Sequence, residues 1–116
     1  MMVVKLIRDK VATIIIKNGS SKYPGAEVTI AHPSAKFNYL KFKLREESEE
    51  VAELERNEIE DLTEELADVL EVIYSLADEI GISFSSIQEV RHQKRFEKGG
   101  FMRGYILRTS EEVKED

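Results

Sequence analysis

The chain contains no cysteine. Disulfides are therefore excluded, and so is any metal site built on thiolates. Histidine is almost as scarce: His32 and His92 are the whole supply, too few for a histidine-rich zinc site. No apolar run approaches the roughly 20 residues needed to cross a bilayer. The opening Met1-Met2-Val3-Val4-Lys5-Leu6-Ile7-Arg8-Asp9 lacks the long apolar run of a secretory signal. Without such a signal the sequon-like Asn18-Gly19-Ser20 reads only as a turn. The expectation is a cytoplasmic protein with no membrane partner.

At 116 residues there is room for one domain, expected to span 1–116. A lone domain of this size buries only about two-thirds of its unfolded surface, so association with further copies is a natural way to bury the rest. The net charge of −6 hides an asymmetry. Residues 44–71 hold 13 acidic side chains against two basic ones, whereas the remainder holds 15 basic and 10 acidic. An acidic block within a basic chain suits a cation together with an anionic ligand. Duplex nucleic acid would be repelled by that block and is not expected as a partner.

Apolar spacing predicts an all-α fold, a bundle of about four helices around a long antiparallel hairpin. The first helix is expected over Lys5 to Lys17, with Gly19 as its stop. The second runs from about Ala35 to Arg56 on Phe37, Leu40, Leu44, Val51 and Leu54. The third runs from about Glu58 to Ile80 and stops at Gly81, and the fourth from about Phe84 to Lys98. A small β element is expected from 27–31 pairing with 101–108. The last few, charged residues are expected to fray.

The two central helices contain an internal echo. Leu44-Arg45-Glu46-Glu47-Ser48-Glu49-Glu50-Val51 aligns, 18 residues on, with Leu62-Thr63-Glu64-Glu65-Leu66-Ala67-Asp68-Val69. Eighteen residues is about five α-helical turns, so matching side chains share an azimuth. In a hairpin folded near Asn57, Glu47 faces Asp68 and Glu50 faces Glu65, because both pairs have the same position sum. Glutamates are usually solvated, but Glu47 falls only about 60° from Leu44 on the helical wheel. Glu65 likewise falls between Val72 and Leu76. Glu49, Glu53 and Glu60 show no such intrusion and read as solvent charges. Two carboxylates about 4 Å apart repel by roughly 4 kcal/mol at an effective dielectric of 20, and few basic residues share these stripes. A divalent cation would offset the repulsion, and an all-oxygen set favours Mg²⁺, with Mn²⁺ as substitute, over Zn²⁺. A di-iron bundle would want Glu-x-x-His, and neither helix contains histidine.

Glu46-Glu47-x-x-Glu50 followed by Glu64-Glu65-x-x-Asp68 resembles the signature of the MazG-like all-α nucleoside triphosphate pyrophosphohydrolases. Glu65-Leu66-Ala67-Asp68-Val69-Leu70-Glu71-Val72-Ile73 is a close match. Lys5-Leu6-Ile7-Arg8-Asp9-Lys10-Val11 is similar to the opening of one branch, and Lys98-Gly99-Gly100-Phe101 with Gly104-Tyr105-x-Leu107 to its close. The resemblance implies metal-dependent hydrolysis between the α- and β-phosphates of a nucleotide, giving a monophosphate and pyrophosphate. It also implies a homodimer or homotetramer. Phosphoribosyl-ATP pyrophosphatases of histidine biosynthesis belong to the same superfamily and mark a second candidate substrate.

On this reading Glu47, Glu50, Glu65 and Asp68 bind Mg²⁺. Glu46 orients or deprotonates the attacking water, its alternative being a solvent-facing glutamate. Lys5, Arg8, Lys94 and Lys98, with Lys10, Arg95 and Arg103 beside them, are candidate phosphate contacts, their alternative being surface solubility. Tyr74 and Phe96 are candidate base-stacking rings or core residues. Two competing classes stay open: a catalytically idle helical dimerisation module, and a regulatory partner whose acidic face binds a basic protein.

Overall fold

In the computed structural model, which describes residues 2–110, the chain is all-helical. Its helices are α1 (Asp9–Asn18), α2 (Pro33–Ala52), α3 (Ile59–Glu79) and α4 (Phe84–Lys98). The chain divides into two compact units, Met1–Phe84 and Ser85–Asp116. Within the first, α2 and α3 pack as an antiparallel hairpin.

Each helix stops where local chemistry makes continuation costly. Gly19, at φ +72°, ends α1 and donates its N–H to the Ile15 carbonyl at 2.7 Å. This left-handed conformation is one that side chains with a Cβ resist. At the start of α2, Pro33 takes a first-turn position that needs no N–H donor, and His32 Nδ1 accepts from the Ser34 N–H at 3.1 Å. Helix α2 ends at Ala52, short of the expected Arg56. Beyond it the Glu55 N–H donates to the Glu58 carboxylate at 2.7 Å, a turn contact that competes with further helix. Glu60 and Asp61 then open α3, where the helix dipole favours negative charge. At its far end Gly81 adopts φ +75°, and the Ile82 N–H reaches the Ala77 carbonyl at 2.9 Å.

Two expectations are corrected. The first helix begins at Asp9 rather than Lys5, because residues 2–8 form a non-helical strap; Val4, Lys5 and Leu6 line a cavity with α2, and Arg8 is extended. No strand forms over 27–31 or 101–108, and no strand is found among the described residues. At 101–104 the Gly104 N–H instead turns back to the Phe101 carbonyl at 3.1 Å, and β-prone residues such as Ile30, Ile106 and Leu107 stay exposed with no ladder to join. The expected fraying of the last residues, 111–116, lies outside the described residues.

The hairpin's register follows the expected pairing. Lys36 at the start of α2 meets Glu79 at the end of α3 at 3.0 Å, and this pair has the same position sum as Glu47 with Asp68. The core between the helices is thin. Leu40, Val72 and Ala77 are its buried apolar side chains, and Glu47 is buried with them.

Candidate metal centre

Helix α2 places Glu46, Glu47 and Glu50 on one face by i, i+1, i+4 spacing. Helix α3 presents Glu65 and Asp68 one turn apart. Carboxylate oxygens of Glu46, Glu47 and Glu50 lie within 4.8 Å of one another, and so do those of Glu47, Glu65 and Asp68. Glu47 belongs to both groups and joins the two helices at the centre. All four expected metal-binding residues, and Glu46, are therefore brought to one place.

Burial separates the five acids. Glu47 is only 6% exposed, on the same helix as the core residue Leu40. Its Oε1 pairs with Lys43 Nζ at 3.2 Å, but its Oε2 is buried with no hydrogen-bond partner. Glu65 Oε2 is orphaned in the same way. These are the two acids that the helical wheel places on the apolar stripe. The Glu65 carboxyl is pushed up to about 7, first by hydrogen bonding to Glu50, then by burial and by Glu47. A hydrogen bond between two carboxyl groups needs a proton on one of them, so this crowding favours proton retention in the metal-free centre.

The basic residues around the centre are more numerous than the stripes alone suggest. Lys43 bridges Glu46 at 3.4 Å and Glu47 at 3.2 Å. From the strap, Lys5 stands 3.8 Å from Glu46, and Arg8 Nη2 donates to Asp68 Oδ1 at 2.6 Å. Three cations thus meet five carboxylates. Among the described residues no lysine or arginine pairs with Glu50 or Glu65.

Lys43 was legible as an i, i+4 partner of Glu47 but is absent from the expected site. Tyr23 gave no signal. It lies in the loop before α2, with its ring centroid 5.1 Å from the Lys5 ammonium. Hydrogen bonding to Tyr23, ahead of the influence of Glu46 and Glu50, pushes the Lys5 ammonium above its ordinary value. Lys94 and Lys98 are exposed, one turn apart on α4, in the second unit. Tyr74 stacks on Phe84 with centroids 3.9 Å apart, while Phe96 is exposed. Beside Glu46 opens a cavity of about 370 Å³ lined by the strap (Val4, Lys5, Leu6) and by Tyr39, Phe42 and Lys43.

The donor set is oxygen only and spread over facing helices. It includes two buried oxygens without partners. That fits a hard divalent cation, which would satisfy both orphans and offset the mutual repulsion.

Comparison with curated proteins and with solved structures finds no match. Residues 37–100, more than half of the chain and including every carboxylate of the cluster, match the MazG-like family. The chain belongs to the MazG-like family.

Proposed function

We propose that the protein is a nucleotide pyrophosphohydrolase that cleaves a nucleoside triphosphate between its α- and β-phosphates. Membership of the MazG-like family supports this class of activity. The observation that carries the reading is the pair of buried, partnerless oxygens on Glu47 of α2 and Glu65 of α3, two carboxylates that come within 4.8 Å of each other. An idle dimerisation module or a protein-binding acidic face gains nothing from burying unmatched carboxylates, which cost stability. A site that takes up a cation does.

Glu47, Glu50, Glu65 and Asp68 would hold Mg²⁺ or Mn²⁺. When bound, the cation supplies charge neutralisation for the phosphates and the departing pyrophosphate. Glu46 is the candidate for orienting or deprotonating the attacking water. Its carboxylate is accessible, on the rim of the cluster, and held between Lys5 and Lys43. Lys5 and Arg8 bring positive charge to the same rim, where an anionic phosphate chain would lie. The neighbouring cavity, with Tyr39 and Phe42 in its wall, has the size and apolar character of a nucleoside site. Lys94 and Lys98 stay candidates for phosphate contact from α4.

The working form is proposed to be a homodimer or homotetramer. Ile59, Leu66 and Leu70 lie within about 40° of one another on α3. That face is turned away from Glu65 and Asp68, with Leu66 55% and Leu70 46% exposed. A second copy packing there would extend the thin core into a bundle.

The deciding experiment measures products from a panel of nucleoside triphosphates and phosphoribosyl-ATP with Mg²⁺, with Mn²⁺ and with EDTA. Equal release of monophosphate and pyrophosphate, abolished by EDTA, is the expected result. A preference for phosphoribosyl-ATP would move the protein to the biosynthetic branch. No turnover of any member by folded, metal-loaded protein would favour the idle module.

A further inference from the structure

The carboxylate cluster is matched by cations on its outer side and unmatched within. Arg8 sits on extended backbone (φ −67°, ψ 149°) just ahead of α1, and reaches across to Asp68 on α3 at 2.6 Å. Asp68 shares its cluster with Glu47 and Glu65, whose inner oxygens have no partner. The carboxylate that Arg8 occupies is therefore one that an incoming cation would need.

Arg8 and Lys43 are placed differently. Lys43 lies between Glu46 and Glu47 within α2, with 19% of its side chain exposed. The Arg8 side chain is 57% exposed and grips a partner that is itself 36% exposed. Solvent screens such a pair, and side-chain entropy opposes it, so the contact is easily given up. Lys5, 5.1 Å from the Tyr23 ring and 3.8 Å from Glu46, is a second contact between the strap and the cluster.

We propose that Arg8 is an exchangeable counter-ion of this centre. It neutralises Asp68 while the cluster is metal-free, yields that carboxylate when a divalent cation is taken up, and then turns its guanidinium to the phosphates of the substrate. This rests on the reading of the cluster as a metal site. The planar fork of arginine suits both states, since it matches a carboxylate and a phosphate with the same two parallel N–H donors. Charge count agrees. Three cations against five carboxylates leave the metal-free centre short of positive charge, and a freed Arg8 adds one where the phosphate chain arrives.

The exchange has a signature that a structural role lacks: one substitution moves two affinities in opposite directions. Arg8→Ala removes the competitor for Asp68, so Mg²⁺ should bind about two- to five-fold tighter at low salt, the scale of an exposed ion pair. The same change removes a charge-assisted phosphate contact, so inorganic pyrophosphate should bind the Mg²⁺-saturated protein about tenfold more weakly. Arg8→Lys keeps the charge and loses the fork. It should leave Mg²⁺ affinity close to wild type and lower pyrophosphate affinity by less than the alanine change.

Titration calorimetry on metal-stripped protein, with Mg²⁺ and then with pyrophosphate, reads both, with helicity at 222 nm confirming that each variant is folded. Mg²⁺ affinity that is unchanged or weaker in Arg8→Ala, or pyrophosphate affinity that does not fall, overturns the exchange alone. A wild-type protein that takes up no Mg²⁺ overturns the cluster reading and the exchange with it.

Discussion

Replacing Glu65 by glutamine should make the metal-free protein more stable at alkaline pH, although it removes a charged residue from the centre. The Glu65 carboxyl is held at about 7 rather than its ordinary 4.5. At 1.36 kcal/mol per tenfold change in proton affinity, that difference corresponds to an upper bound of about 3 kcal/mol. One of its oxygens is buried, but the residue as a whole is only half-buried. Solvent screening brings the working figure to about 1–2 kcal/mol. The sign follows from the direction. A carboxyl raised in the folded state contributes stability that is complete below pH 4.5 and is lost as pH rises through about 7. Wild type should therefore lose roughly 1–2 kcal/mol between pH 5 and 8.5 beyond what the rest of the chain imposes, about 5–10 °C in Tm for a domain of this size. Glutamine cannot ionise, and its amide can still donate to Glu50, so the variant should lack that slope. Thermal unfolding by circular dichroism in EDTA, across that pH range, measures the difference. Added Mg²⁺ should remove the alkaline loss from wild type, because a bound cation takes the place of the proton. Parallel pH slopes in the two proteins, or a variant destabilised at every pH, would refute the reasoning.

Glu46→Gln should lower kcat at least 100-fold while leaving Mg²⁺ affinity within a few-fold of wild type, as steady-state kinetics and calorimetry would show; unchanged turnover would return Glu46 to a surface role. Leu70→Glu, on the exposed stripe of α3, should shift sedimentation from the oligomer to a monomer with a lower Tm. A variant that keeps the wild-type sedimentation coefficient would place the interface elsewhere.

Much of this architecture was readable from spacing, and the exceptions share a cause. The facing of α2 and α3 follows from the repeated Leu-x-Glu-Glu-x-x-acid-Val pattern, because helical geometry ties sequence distance to azimuth. Glu47 and Glu65 stand out for the same reason, as charges at apolar positions, and among the described residues they are the two acids with orphaned oxygens. What spacing could not convey depends on tertiary contact. The segment Lys5-Leu6-Ile7-Arg8 has helical patterning, yet it is non-helical where Lys5 and Arg8 reach Glu46 and Asp68. The 27–31 and 101–108 segments have β-prone residues but no ladder, since strand propensity acts only where a neighbouring strand pairs. Tyr23 lies in a loop with no periodicity, so nothing in the sequence ties it to Lys5. The Lys43 contact with Glu47 is one that sequence does carry, through i, i+4 spacing on α2.

The central claim is that α2 and α3 together hold a divalent cation on Glu47, and the most direct test is a Mg²⁺ titration of wild type and Glu47→Gln by calorimetry, with helicity recorded on the same samples. The account predicts saturable binding in wild type, loss of that binding in the variant by at least tenfold in affinity, and equal helicity in both. A folded Glu47→Gln protein that binds Mg²⁺ as wild type does would contradict it.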